Sequence, residues 1–160
     1  MIHTADYPSP LGRIQIVSSP ERILSVQFVL TDHPIVVPPT ALLQSAVNQL
    51  EEYFKGKLKR FDLPLNFEGT LFQNKVWQRL QMIPYGETRQ YGEIARSIQS
   101  PQASRAVGGA CNQNRWMILI PCHRVIGQKG KLVGYTGGLK IKEALLLHEK
   151  NLKENFTAGE

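Results

Sequence analysis

The sequence predicts a two-part chain, an α/β segment over residues 1–66 followed by a mainly helical segment over residues 67–160 that contains a helix-turn-helix. Three observations carry that reading. Residues 12–28 alternate apolar and polar side chains on either side of a turn, as half-buried strands do. Residues 42–54 repeat apolar side chains at three- and four-residue spacing, as one face of a helix does. Beyond residue 70 the apolar runs are short, helical in period and broken by Pro, Gly and Ser.

Taken in order, the first thirty residues read as strands. Gly12–Val17 alternates, Ser18-Ser19-Pro20-Glu21 is a turn, and Ile23–Phe28 alternates again. Three prolines make residues 31–39 a loop. Leu42, Leu43, Ala46, Val47, Leu50, Tyr53 and Phe54 then mark a helix that Gly56 ends. Residues 57–69, basic and then loop-like, form the boundary. Thr70 with Gln73 fits a capping box, and Phe72, Val76, Trp77 and Leu80 share one helical face until Pro84, with Trp77 expected in the core. Pro84-Tyr85-Gly86-Glu87 is a turn. Tyr91–Ile98 forms a short helix with Ile94 in the core, and Ser100-Pro101 reads as the N-cap and first-turn proline of the next helix, which runs to about Asn112.

At 160 residues and 42% hydrophobic composition the chain can bury a real core. Two cysteines, Cys111 and Cys122, imply no disulfide framework and point to a reducing compartment. The N-terminus has neither a basic n-region nor an apolar h-region, and no apolar run approaches the ~18 residues of a membrane span. A cytoplasmic protein without membrane contact is expected. The charge is unevenly placed. Residues 1–70 carry six Lys/Arg against seven Asp/Glu, net −1, whereas residues 71–160 carry thirteen against six, net +7. A basic half beside a neutral one fits a polyanionic partner, nucleic acid first, or simply a solubilising surface.

Two stretches carry chemistry. Ala103, Ala106, Gly108, Gly109 and Ala110 leave the second helix of the pair almost bare, although each glycine costs a helix about 1 kcal/mol. Close approach to another surface, with Arg105 projecting from it, explains that composition; so does tight packing against the helix's own core. Pro121-Cys122-His123-Arg124-Val125 follows the apolar run Met117–Ile120. An imidazole beside a thiol can take its proton or stabilise its anion. A small buried hydrophobe next to an unrelated histidine is the plainer reading of the same pair.

The order of these motifs resembles the O6-alkylguanine-DNA alkyltransferase family. The residues that carry the resemblance are Arg105–Ala110, Asn114, Ile120–Val125, Gly134-Tyr135-Thr136-Gly137-Gly138-Leu139 and Leu146-Leu147-His148-Glu149, with Ser9–Gly12 and Tyr53–Gly56 as weaker matches. The resemblance implies a ribonuclease-H-like antiparallel sheet with a helix, then a winged helix-turn-helix-like DNA-binding domain. It implies a monomer that binds duplex DNA through the minor groove, flips an O6-alkylguanine out and moves the alkyl group irreversibly to its own cysteine, without a cofactor; O4-alkylthymine is a further possible substrate. Cys122 would be the acceptor, and His123 would relay its proton through water toward Glu149. Tyr91 would donate to the leaving base, and Asn114 would hold the segment before the active-site loop. Arg105 would fill the gap left in the duplex, with Ala106, Gly108, Gly109, Thr88, Gln90, Ser104 and Arg115 along the DNA. Val125, Tyr135, Thr136 and Gly137 would shape the guanine pocket.

Two positions depart from the family pattern: Arg115 stands where proline is common, and Gln90 where serine is frequent, which bears on the helix cap before Tyr91. Some relatives hold zinc in the N-terminal domain. His3 and His33 without a cysteine are too few ligands for a closed tetrahedral site there, so no metal is expected. A DNA-binding module without chemistry, a cysteine hydrolase and a DNA-bending protein are the competing classes. The presence of Cys122 argues against the first, and single turnover would separate the second.

Overall fold

The computed structural model describes residues 1–135 and 137–158, with side chains through residue 152. It divides into two compact units. The first contains Met1–Asn66 together with Arg115–Leu119, and the second contains Phe67–Asn114 and the chain from Ile120 onward. The excursion of residues 115–119 into the first unit is not visible in a division of the sequence at residue 66.

The first unit holds a three-stranded antiparallel sheet in sequential order, β1 (His3–Ser9), β2 (Gly12–Ser18) and β3 (Ile23–Phe28). Its register pairs Ala5 with Ile16 and Ile16 with Val26, so alternate side chains fall on one face. Helix α1 (Ala41–Phe54) packs Leu43, Ala46, Leu50 and Tyr53 against that side of the sheet, burying Ala5, Ile14, Ile16, Ile23 and Val26 with them. The Thr40 hydroxyl caps α1 by accepting the Leu43 N–H, and Gly56, at φ 77°, terminates it. Beyond the outer edge of β3, Leu65 and Trp116 make isolated parallel bridges to Ile23 and Val26. The Trp116 indole N–H donates to the Ile23 carbonyl at 2.8 Å, which anchors the excursion.

The second unit is helical. Thr70 and Gln73 form the capping box of α2 (Leu71–Leu80), whose Val76, Trp77 and Leu80 are buried. The Trp77 N–H donates to the Ala110 carbonyl at 2.9 Å and ties α2 to α4. The Pro84–Glu87 turn has Gly86 at φ 79°. After it comes a pairing the periodicity does not reveal: β4 (Arg89–Gln90) lies parallel to β5 (Val125–Ile126), each two residues long.

Helix α3 (Tyr91–Ser97) follows at once, with Gln90 as its N-cap residue and the Glu93 carboxylate accepting the Gln90 N–H. Helix α4 (Ser104–Asn112) starts later than the Ser100-Pro101 pair predicts. Residues 100–103 instead close a tight turn in which the Ala103 N–H donates to the Ser100 carbonyl, and Ala103 becomes the N-cap. The proline pre-sets a turn as readily as a helix, and turn formation wins here. Helix α5 (Leu139–Ala158) closes the unit. No helix among the described residues is long and apolar enough to cross a membrane.

Candidate active site

The backbone before Cys122 is folded twice within six residues. The Leu119 N–H bonds the Met117 carbonyl around Ile118 at φ 73°, a positive-φ γ-turn that strains a buried β-branched residue. The Cys122 N–H then bonds the Ile120 carbonyl around Pro121 at φ −79° and ψ 62°, an inverse γ-turn whose φ the proline ring supplies. Cys122, His123 and Arg124 form a single 3₁₀ turn that feeds β5.

Asn114 locks this geometry. Its amide Nδ2 donates to the Ile120 carbonyl at 2.8 Å and to Cys122 Sγ at 3.2 Å. Cys122 is 2% exposed. Burial pushes its thiol up to about 11, while the Asn114 hydrogen bond and the Lys142 ammonium pull it down. In this closed arrangement the sulfur is a thiol at neutral pH, and it must lose a proton to become a nucleophile.

The group that can take the proton is adjacent. His123 is wholly buried, and its Nε2 lies 2.6 Å from Glu149 Oε2. Burial lowers the His123 pKa, outweighing the pull of Glu149 in the other direction. Burial alone would raise Glu149, but His123 and Arg124 together hold it well below the usual carboxylate range. The pair is therefore a neutral imidazole donating Nε2–H to a carboxylate. That leaves Nδ1 with the ring's lone pair, and Nδ1 is buried without a hydrogen-bond partner among the described residues. Glu149 also accepts from Arg124 Nε at 2.8 Å, Arg124 Nη2 at 3.1 Å and the Gly86 N–H at 3.2 Å. Arg124 Nη1 donates to the Ile83 carbonyl at 2.7 Å, so one arginine ties the Pro84 turn, the 3₁₀ turn and α5 together.

A cleft of about 600 Å³ opens between α3, α4 and the 127–134 loop, and its wall includes Tyr91, Arg105, Gly108, Gly109, Val133 and Gly134. Gln90 and Ser104 also line it. The Tyr91 hydroxyl donates to the Val133 carbonyl at 2.9 Å, so its proton is engaged by the loop rather than offered to the cleft. On α4, Val107, Ala110 and Cys111 face the core while Arg105, Ala106 and Gly109 are exposed. A Cβ at Gly109 would meet nothing within 4 Å, and one at Gly108 would meet only Tyr91 at 3.9 Å. Core packing therefore does not account for either glycine.

Thr88 is exposed just before β4. Val125 is fully buried beside Arg89 in the β4–β5 pair. Tyr135 sets its ring edge-on to His123 at 6.5 Å, with its hydroxyl buried. Gly137 lies in the turn before α5, and Thr136 is outside the described residues. Arg115 is exposed and belongs to the first unit, where its carbonyl accepts the Val26 N–H. Among the described residues no three His, Cys, Asp or Glu side chains converge as metal ligands.

Two residues of the centre carry no role in the sequence reading. Arg124 stands inside the Pro121–Val125 motif, and only its pairing with Glu149 reveals its function. Lys142 is wholly buried. Lysine is so rarely buried that it reads as surface. The available signal was spacing: Lys142, Leu145 and Glu149 fall three and four residues apart, on one face of α5.

Comparison with known proteins shows the family. Residues 2–67 match the 6-O-methylguanine DNA methyltransferase ribonuclease-like domain, and residues 71–151 match the DNA binding domain of the same family. A methylated-DNA–protein-cysteine methyltransferase of Methanosarcina acetivorans is 49% identical over 150 residues, covering 91% of this chain and 96% of that one. One from Mycobacterium leprae is 45% identical over 155 residues, covering 94% of each. The crystal structure of the Mycobacterium tuberculosis O6-methylguanine methyltransferase superposes with a TM-score of 0.84 at 43% identity, covering 94% of both chains. The same organism's protein in complex with DNA gives 0.85 at 44% identity, again with 94% of both chains covered. Fold and site thus define a DNA alkyl-transfer protein with a cysteine acceptor. The chain belongs to the 6-O-methylguanine DNA methyltransferase family.

Proposed function

We propose that this protein repairs DNA by direct reversal, taking the alkyl group from O6-alkylguanine in a duplex onto Cys122 and keeping it. The observation that carries the assignment of the acceptor is the hydrogen-bonded row Asn114–Cys122 beside His123–Glu149, with one imidazole nitrogen left to receive a proton. The thiol proton passes to His123 Nδ1, directly or through water, while Nε2–H stays on Glu149. The sulfur electron pair forms the S–C bond as the C–O bond breaks, and the pair left on guanine is neutralised by a proton from Tyr91 once its hydroxyl turns from the Val133 carbonyl to the bound base, the phenol being reprotonated from solvent. The product is a thioether without a carbonyl for water to attack, so each molecule repairs one lesion.

The cleft supports the DNA-facing half of the reading. A base cannot be attacked inside its stack, so it must be flipped out at a cost of a few kcal/mol. Arg105 fills the gap, and the bare face of Ala106 and Gly109 lets α4 approach a minor groove only ~6 Å wide. Thr88, Gln90, Ser104 and Gly108 line the same DNA, while Val125, Tyr135 and Gly137 bound the guanine pocket. The chemistry needs neither a second subunit nor a cofactor. Two reduced cysteines suit action as a monomer in the cytoplasm.

The test is the intact mass of the protein after incubation with duplex DNA carrying O6-methylguanine, followed by peptide mapping. One added methyl on Cys122, with no second turnover, is the expected result. An unchanged mass with retained duplex binding would reduce the protein to a lesion-binding module.

A further inference from the structure

Residues 127–134, which supply one wall of the cleft, form a tight loop pinched at its base. The Gly127 N–H donates to the Lys131 carbonyl at 2.7 Å. A Cβ on Gly127 would meet Val133 Cγ2 at 3.0 Å and the Lys131 carbonyl oxygen at 3.1 Å, so the two arms touch there. The Tyr91 hydroxyl and Lys142 Nζ both donate to the Val133 carbonyl at 2.9 Å and hold the second arm. At the tip the Lys131 N–H donates to the Gln128 carbonyl at 3.2 Å, around Lys129 at φ 58° and ψ 28° and Gly130 at φ 76°. Positive φ at both central residues is the type I′ pattern, which Asn-Gly and Gly-Gly adopt with least strain. Lys129 takes it against the clash of its own Cβ.

Core packing does not explain a lysine at that position. Gln128, Lys129, Gly130 and Lys131 are all exposed, and among the described residues neither lysine has an ion pair. A strained, exposed cation without a counter-charge in its own protein points to a use outside it. The surrounding charge names the chemistry of the partner. Between Glu93 and Glu143 the chain carries eight Lys/Arg and no Asp or Glu. Two of the eight serve the interior, Arg124 on Glu149 and Lys142 on the loop carbonyls. Arg96 and Arg105 are exposed on the α3–α4 side of the cleft, and Lys129 adjoins the lining residue Gln128 on the loop side. Positive charge therefore flanks the cleft on both sides, and none of the intervening residues is acidic. That pattern suits a polyanion laid across the opening, not a protein surface of mixed sign.

We propose that Lys129 is a backbone-phosphate contact, presented by a strained turn so that the loop and α4 grip the duplex from the two sides of the cleft. Arg105 acts where the base has left the stack, whereas Lys129 holds the sugar–phosphate backbone and reads no sequence. The inference rests on the reading of this chain as one that binds duplex DNA to move an alkyl group. Its test uses undamaged duplex, so the grip is measured whether or not a methyl group is transferred.

The experiment compares wild type, Lys129→Asn, Lys129→Arg and Lys57→Asn, the last removing an exposed charge from the first unit. Each is followed by thermal melting, by affinity for an undamaged duplex over a series of salt concentrations, and by methyl transfer from an O6-methylguanine duplex. Lys129→Asn should melt at or above wild type, because Asn tolerates the left-handed conformation. Its duplex affinity should fall several-fold at low salt, and the slope of log affinity against log salt should shrink by about 0.9, the share of one phosphate contact. Lys129→Arg should keep the wild-type slope, since guanidinium keeps the charge, and Lys57→Asn should keep it too. A folded Lys129→Asn with the wild-type slope overturns the proposal. An equal loss of slope in Lys57→Asn also overturns it, because Lys129 is then one surface charge among many. Wild-type protein that differs from Lys129→Asn in slope yet takes no methyl from the lesion overturns the alkyl-transfer reading instead.

Discussion

His123 and Glu149, 26 positions apart, are joined by a 2.6 Å hydrogen bond from which water is excluded. The same carboxylate neutralises Arg124, so one glutamate both sets the histidine tautomer and cancels a buried guanidinium. Glu149→Gln keeps the shape and removes the charge. Loss of one partner of a buried pair costs about 3–5 kcal/mol. In a chain of this size that is a melting decrease on the order of 10 °C. Transfer should fall by roughly 100-fold or more as general-base help is lost. Thermal melting and single-turnover transfer on the same preparation check both, and a variant that melts like wild type would show that the pair is not stabilising.

Acid should weaken the fold in two stages. The His123 pKa is lowered on folding, so its contribution is complete above the ordinary value of 6.5 and is lost as pH falls below it, because the unfolded chain gains a proton that the buried ring resists. The Glu149 pKa is lowered too, so its contribution is complete above 4.5 and is lost only as pH drops further. Urea midpoints at pH 7.5, 5.5 and 4 should decline progressively. His123→Asn should flatten the first stage, and a midpoint indifferent to pH between 7.5 and 5.5 would contradict the buried neutral imidazole.

Arg105 is exposed on the cleft wall. Arg105→Ala should slow repair of duplex DNA much more than reaction with free O6-benzylguanine, since only the duplex requires an extruded base. Equal slowing on both substrates would remove Arg105 from that role.

Gly109 separates the two explanations of the bare helix. A methyl group there meets nothing in the protein. Gly109→Ala should therefore stabilise α4 by about 1 kcal/mol and yet weaken duplex binding. If the variant is stabilised and binds DNA as before, the glycine does not serve the groove.

What could be read in advance follows from the range of the interactions. Strand alternation, the apolar face of Leu42–Phe54 with its Gly56 stop and the Thr70 capping box are set by neighbours within a few residues, and each appears where its local pattern puts it. The Ser100-Pro101 start failed because the same two residues encode a tight turn equally well. The two-residue β4–β5 pair is too short to have a period. In the candidate site, Cys122 and His123 stand out as neighbours, whereas Glu149 became a partner only through resemblance to a family. The burial of Lys142 depends on backbone carbonyls that no side-chain pattern encodes.

The five-residue excursion of Arg115–Leu119 has a consequence for how the chain can be divided. A gene cut at residue 66 would leave a fragment still carrying Trp116 and Ile118, both under 2% exposed, without the strand edge that covers them. The fragment would meet solvent with an apolar flap between Asn114 and Cys122, the two residues joined by the Nδ2–Sγ hydrogen bond. The N-terminal sheet is thus not a detachable accessory. The halves of this protein can be shuffled, fused or minimised only as one inheritance.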